Sequence, residues 1–268
     1  MPMLNNKRFV ITGVSSERSI AHGIACVAHA EGAELILTYN NARFECRVRA
    51  LAEELNAKVI RLDASDDASV AACAESVKAV WPDGMDGFVH SIAWAPREAI
   101  QGSFLEGISR DGFLAAMSIS VYSFAALAKA FLPQMEGRRA SMLTVSYLGA
   151  EKVLPNYNTM GVAKAALESM TRYMAADLGP RGMRVNALSC GPVRTLAASG
   201  IKDFSRMLAA SETLSPMREN ITTTDAGNAA AFLLSDLARM TTGQTVYVDG
   251  GFEILAPGAL ETTAAFFC

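Results

Sequence analysis

The chain has 268 residues, 51% of them hydrophobic and 19% charged, enough apolar material for one large core. Its 24 Lys and Arg against 27 Asp and Glu leave a formal net charge of -3, which excludes attraction of nucleic acid or an anionic membrane surface by bulk charge. Apolar runs such as Phe9 to Val14 and Leu35 to Leu37 fall far short of the ~20 residues of a membrane helix, so neither nucleic acid nor a membrane is expected as a partner.

Asn5, Asn6 and Lys7 leave no apolar signal segment before the first predicted strand, and the protein is expected in the cytoplasm. From there short β-branched runs alternate with longer amphipathic stretches. In chain order the pattern predicts a strand over Arg8 to Val14, a helix over Ile20 to Glu31, a strand over Ala33 to Tyr39 and a helix over Ala42 to Asn56. A strand over Lys58 to Leu62, a helix over Asp67 to Val80, a strand over Gly87 to Ile92 and one long helix over Ser109 to Gln134 follow. The second half adds strands over Ala140 to Ser146, Arg184 to Ser189 and Thr245 to Val248, with helices over Tyr157 to Leu178 and Thr224 to Ser235. Strands this apolar are covered on both faces. The prediction is an α/β fold: a single-domain, Rossmann-like, doubly wound sheet of seven mainly parallel strands.

Ligands of such sheets bind beyond the carboxyl ends of the strands. After the first strand, Gly13 is the one glycine of the turn before Ser19 and Ile20, so the Gly-x-Gly-x-x-Gly fingerprint is absent. Ser19 can still cap the helix, and the free amides of its first turn can hold a pyrophosphate. The second strand ends at Asn40, the third at Asp63 and Ala64, and the fourth at Ser91, Ile92 and Ala93. In a nucleotide-binding sheet these tips meet the adenosine ribose, the adenine and the path toward nicotinamide. Asp63 is an acceptor for adenine or a cap for the next helix. Asn40 can bond a ribose hydroxyl without an acidic side chain's repulsion of a 2′-phosphate. That favours NADH, while Arg43 and Arg47 just downstream keep NADPH open.

Beyond the fifth strand stands Tyr147, and Tyr157 opens a helix that contains Lys164, seven residues on. Nearly two turns apart, they share one face. A ketoreductase needs its proton donor on the oxygen of the carbon that takes the hydride. An enoyl reductase delivers hydride to C3 and develops negative charge on the C1 oxygen. With Lys fixed on the nicotinamide ribose, a Tyr three residues earlier than in a Tyr-x3-Lys pair lies ~4.5 Å farther along the helix, in the direction that enoyl reduction requires.

The stretches Gly13 to Ala21, Ser146 to Glu151, Pro155 to Asn158 and Gly191 to Phe204, with the Tyr-x6-Lys spacing, resemble those of the bacterial NADH-dependent enoyl-(acyl-carrier-protein) reductases. These are divergent short-chain dehydrogenase/reductases, and the similarity runs from about Lys7 to Phe252. The resemblance implies that Tyr157 bonds the thioester carbonyl and stabilises the enolate, that Lys164 holds the ribose, and that Tyr147 lines the acyl pocket. It also assigns Gly13, Ser19, Ile20, Asp63, Ala64, Ile92, Val193 and Thr195 to the cofactor, and Met160, Ala197, Ile201, Phe204 and Met207 to the substrate loop and pocket. Asn40 stands where the family has Gln, Ala64 where it has Val, and Ala93-Trp94 where it has Gly-Phe. The implied partners are an acyl-carrier protein, met by Lys202 and Arg206, and three further copies of the chain in a homotetramer. Residues 195–214 are expected to form a mobile substrate-binding segment.

A ketoreductase would place its Tyr where Met160 stands, and a non-catalytic dinucleotide-binding regulator would not need Tyr157 and Lys164. The five cysteines, Cys26, Cys46, Cys73, Cys190 and Cys268, contain no Cys-x-x-Cys pair and read as buried thiols of a reducing compartment. His22 and His29 share a helix face without a third ligand, so no metal site is expected.

Overall fold

A computed structural model describes residues 2–196 and 204–255. The predicted strands are β1 (Arg8–Ile11), β2 (Glu34–Tyr39), β3 (Lys58–Arg61), β4 (Gly87–His90), β5 (Ser141–Ser146), β6 (Arg184–Cys190) and β7 (Thr245–Val248). They pair in parallel throughout, in the order β3-β2-β1-β4-β5-β6-β7. The sheet therefore grows outward from β1 on one side and from β4 on the other, and the crevice between β1 and β4 is the switch point of the fold. Strands β1, β3 and β4 end one to three residues short of the sequence expectation. After β1 the chain turns at Gly13, with φ +81.

The helices divide between the two faces. On one, α1 (Ile20–Ala30), α2 (Ala42–Glu54) and α9 (Thr223–Leu234) bury Ile24, Leu51 and Leu234 against Phe9, Leu37 and Leu188 of the sheet. On the other, α3 (Asp67–Val80), α6 (Ser123–Met135) and α7 (Asn158–Leu178) bury Val77, Phe131 and Leu167 against Val10, Phe88 and Met142. Two short helices, α4 (Phe104–Gly107) and α5 (Arg110–Met117), precede α6, and α8 (Phe204–Leu214) precedes α9.

The single helix expected over Ser109 to Gln134 is interrupted. Between α5 and α6 the backbone forms a π turn at Ser118–Tyr122, where the Ser123 hydroxyl donates to the Ile119 carbonyl at 2.7 Å. Side-chain capture of a backbone carbonyl is a recognised cause of such local rewinding. The whole run Arg110–Met135 is long and apolar enough by itself to cross a membrane. Here Phe124, Leu127, Phe131 and Met135 have no exposure at all and form part of the core.

The cysteines depart in part from the expectation of buried thiols. Cys73 and Cys190 are buried, Cys26 is half-buried beside His22, and Cys46 is exposed on α2. Cys268 lies outside the described residues. Among those that are described, no group of His, Cys, Asp and Glu could hold a metal.

Candidate active site

A cleft of about 990 Å³ runs along the carboxyl ends of β1 to β6, at the upper limit of ordinary small-molecule sites. At its centre a Cβ on Gly13 would lie 1.9 Å from the Ser91 carbonyl oxygen, so this turn demands glycine for the close approach as well as for its positive φ. The turn leads into α1, where Ser19 caps the helix by accepting from the His22 amide. Ser19 and Ile20 both line the cleft, and helix N-terminal amides and dipole suit a pyrophosphate there.

Asn40 and Phe44 line one end, with Asp63, Ala64 and Ser65 across from them on the tip of β3. The Asp63 carboxylate accepts from the Ser65 amide at 3.0 Å and the Ser65 hydroxyl at 2.6 Å, bonds that hold its pKa below the usual carboxylate range. The alternative reading of Asp63 as a helix cap is corrected: Asp66 caps α3 through the Ala68 amide, three residues later, because the chain turns once more before the helix begins. Arg43 stacks on the Phe44 ring at 4.6 Å and Arg47 donates to the Ser15 carbonyl. Neither lines the cleft.

The opposite end is built by β5 and α7. Tyr157 is the cap position of α7, and its ring meets that of Tyr147 edge-on, 5.0 Å between centroids. Gly149 makes room for it, since a Cβ there would lie 2.3 Å from the Tyr157 ring. Burial, and after it the neighbouring Tyr147, push the Tyr157 hydroxyl well above the ordinary phenol range. It is therefore a neutral donor at physiological pH. Burial pushes Tyr147 up to about 12. Lys164 is 5% exposed, and its ammonium donates to the Val145 carbonyl at 2.6 Å. Burial lowers its pKa to about 8, against the opposing pull of Cys190 and Glu168.

Behind this end lie polar groups that sequence reasoning missed. Ser120, on the π turn, accepts from the Trp94 amide at 2.9 Å and donates to the Trp94 carbonyl at 3.0 Å, fixing the Ala93-Trp94 wall of the cleft. His90 lies between Thr144 Oγ1 at 2.9 Å and Ser123 Oγ at 2.8 Å. Burial and then the Lys164 charge lower its pKa to about 3. Ser146 and Cys190 line the cleft, and the Ser146 hydroxyl donates to Glu168.

The structure thus gathers into one cleft Gly13, Ser19, Ile20, Asn40, Asp63, Ala64, Ser91, Ile92, Ala93, Tyr147, Tyr157, Met160, Lys164, Val193, Thr195 and Phe204. Met207 is not among the lining side chains. It sits one turn beyond Phe204 on the same half-buried side of α8, next to the buried Leu208, and so farther along the helix from the cleft. Ala197, Ile201 and Lys202 lie outside the described residues. A capped helix N-terminus at the centre, hydrogen-bonding tips at one end and a buried ammonium at the other fit a dinucleotide laid across the switch point.

The family model described as enoyl-(acyl carrier protein) reductase matches residues 13–253. The enoyl-(acyl-carrier-protein) reductase (NADH) FabI of Salmonella typhimurium is 50% identical over 262 residues, 97% of this chain and 99% of that protein. The crystal structure of the NADH enzyme from Aquifex aeolicus VF5 matches with a TM-score of 0.92 at 46% identity, covering 95% of this chain and 99% of that one. The Bacillus cereus reductase, solved with NADP+ and indole naphthyridinone, matches at 0.91 and 44% identity over 96% of this chain and 100% of that one.

Proposed function

Because the chain belongs to the enoyl-(acyl-carrier-protein) reductase family, we propose that Tyr157 and Lys164 divide the chemistry of that reaction between them. The protein reduces the carbon–carbon double bond of a trans-2-enoyl-(acyl-carrier protein), with NADH as reductant, in fatty acid synthesis. When bound, NADH supplies the hydride that C3 accepts.

The observation that carries the division of roles is that Tyr157 and Lys164 line one cleft nearly two turns apart, with Met160 at the intermediate position. Lys164 offers a full charge and three donors, one of them already spent on Val145, and holds the nicotinamide ribose. Tyr157, neutral and desolvated, donates its hydroxyl to the C1 oxygen. It stabilises the enolate that forms once C3 has accepted hydride, a bond that strengthens as charge develops in a water-poor site. Tyr147 packs on Tyr157 and lines the acyl pocket with Ala93, Met160 and Phe204. At the cofactor end Gly13, Ser19 and Ile20 take the pyrophosphate, Asn40, Asp63 and Ala64 the adenosine, and Ser91, Ile92, Val193 and Thr195 the nicotinamide side. Without an acidic side chain at the β2 tip, NADPH is disfavoured only weakly.

The finer assignments follow the same reading. The chain acts as one reductase domain, in the cytoplasm, as a homotetramer, and takes its acyl group from an acidic carrier protein that docks beside the exposed Arg206. The test is NADH oxidation with a crotonyl thioester. Tyr157→Phe keeps NADH affinity and loses turnover by about 1–3 kcal/mol of transition-state stabilisation, whereas Lys164→Ala loses affinity as well. A phenylalanine variant that loses NADH binding and keeps its turnover at saturation overturns the assignment.

A further inference from the structure

For Lys164 to offer a ribose its full charge and three donors it must remain an ammonium, yet it is 5% exposed and the acceptor it bonds, the Val145 carbonyl, is neutral. A buried cation without a counter-charge gives up its proton. Two groups oppose that loss, Cys190 and Glu168. The Cys190 thiol is itself pushed up to about 12 by burial, so it is uncharged near neutrality and has no charge to lend. Glu168 remains. It stands four residues after Lys164, one turn along the same buried face of α7, and is equally buried at 5% exposure.

The Glu168 carboxylate is fixed from the sheet. Ser146, at the end of β5, donates its hydroxyl to Glu168 Oε1 and itself lines the cleft. Four charged or titratable groups act on Glu168 from the elements around it: Glu151 from the loop after β5, Lys164 and Arg172 from α7, and Tyr247 from β7. Burial, the largest effect, raises the Glu168 pKa above the ordinary carboxylate value and Glu151 adds to the rise, while the Ser146 bond, Arg172 and Lys164 oppose it and favour the charged form.

We propose that Glu168 is a positioning residue of the reductase site, whose carboxylate, oriented by Ser146, is the counter-charge that keeps Lys164 an ammonium and so sets the alkaline limit of NADH binding. The inference rests on the reading of Lys164 as the ribose-binding group. Its sign is fixed by electrostatics. Removing a nearby negative charge makes the ammonium easier to deprotonate, so affinity is lost at a lower pH. Glu168→Gln keeps the shape of the side chain and an amide that can still bond Ser146, which preserves any purely structural role.

NADH fluorescence titrations of the full chain from roughly pH 6 to 10 read the effect without turnover. In the parent protein affinity falls as pH rises through about 8. In Glu168→Gln that fall moves to lower pH by about one unit, with affinity at the acid end unchanged within about twofold. Glu168→Asp, which keeps the negative charge, reverses most of that shift. Ser146→Ala moves the fall the same way, because Glu168 then takes up a proton more readily, and it serves as the test if Glu168→Gln does not fold. A parent-like pH profile in Glu168→Gln, or an equal loss at every pH, overturns the proposal. Lys164→Ala separates the two readings. If it binds NADH normally, the role of Lys164 itself fails; if it weakens binding while Glu168→Gln leaves the profile in place, only the counter-charge fails.

Discussion

His90 shows how a buried polar side chain becomes part of a site it does not touch. It has no exposure, and its two ring nitrogens face Thr144 and Ser123 hydroxyls, so burial holds it neutral with a pKa of about 3. In the unfolded chain a histidine takes up a proton near 6.5. Between those values the unfolded state binds more protons than the folded one, so stability is lost as pH falls below about 6.5, by up to about 1.4 kcal/mol per pH unit. Urea unfolding of the parent and His90→Asn should therefore differ in slope from roughly pH 6.5 to 5, the variant being less stable at neutrality and flatter toward acid. Parallel slopes would show that His90 carries no such charge penalty. From the sequence His90 was one residue of an apolar strand. Its partners come from β5 and α6, 54 and 33 residues away, and no local pattern announces them. Gly13, Ser19, Tyr157 and Lys164 were legible because strand tips and helix spacing are local properties. Glu168 had the right spacing, but a Glu four residues after a Lys on a helix usually marks a solvated ion pair, and only burial distinguishes the two.

Among the elements, α1 and α9 are pressed together through glycine. A Cβ on Gly23 would lie 2.4 Å from Thr223, and one on Gly227 would lie 2.6 Å from Val27 Cγ2 and 2.7 Å from the Gly23 carbonyl. The Thr222–Asp225 capping box fixes the start of α9 against this contact. Gly227→Ala must force the helices apart, at about 1–3 kcal/mol for overpacking and about 2–4 °C in Tm for each kcal/mol. Because the first turn of α1 carries Ser19 and Ile20 into the cleft, the displaced helix should also weaken NADH binding several-fold. A melting temperature that falls while NADH affinity stays unchanged would uncouple packing from the site. Most elements were predictable to within a few residues, since apolar periodicity sets where they start and stop. The π turn at Ser118–Tyr122 was not, because it depends on Ser123 reaching back to Ile119 and across to His90 on β4. That turn delivers Ser120 to the Trp94 backbone, so the least legible feature of the fold shapes a wall of the cleft.

At the scale of the whole molecule, the parallel sheet follows from strands apolar on both faces, and the strand order places the cleft at the point where the crossovers of the described residues diverge. What a single chain leaves uncovered argues for the assembly. Strand β7 is an edge whose four residues are all partly exposed, and unpaired edges invite cover. Exposed apolar side chains flank it in the chain: Leu237 at 68%, Met240 at 81% and Ile254 at 73%. A second set lies on the π turn and α7, with Tyr122 at 48%, Val162 at 41% and Tyr173 at 79% exposed. One self-complementary face makes a two-fold dimer, and two different faces generate a closed tetramer. Light scattering at micromolar concentration should therefore give four times the 28.5 kDa of one chain. Placing a charge in either face should leave a dimer held by the other, so Tyr173→Glu and Met240→Glu should each halve the mass and the double variant should give monomers. A monomeric parent protein would remove the tetramer from the proposed function, and a tetramer unaffected by both charges would place the interfaces elsewhere on the molecule.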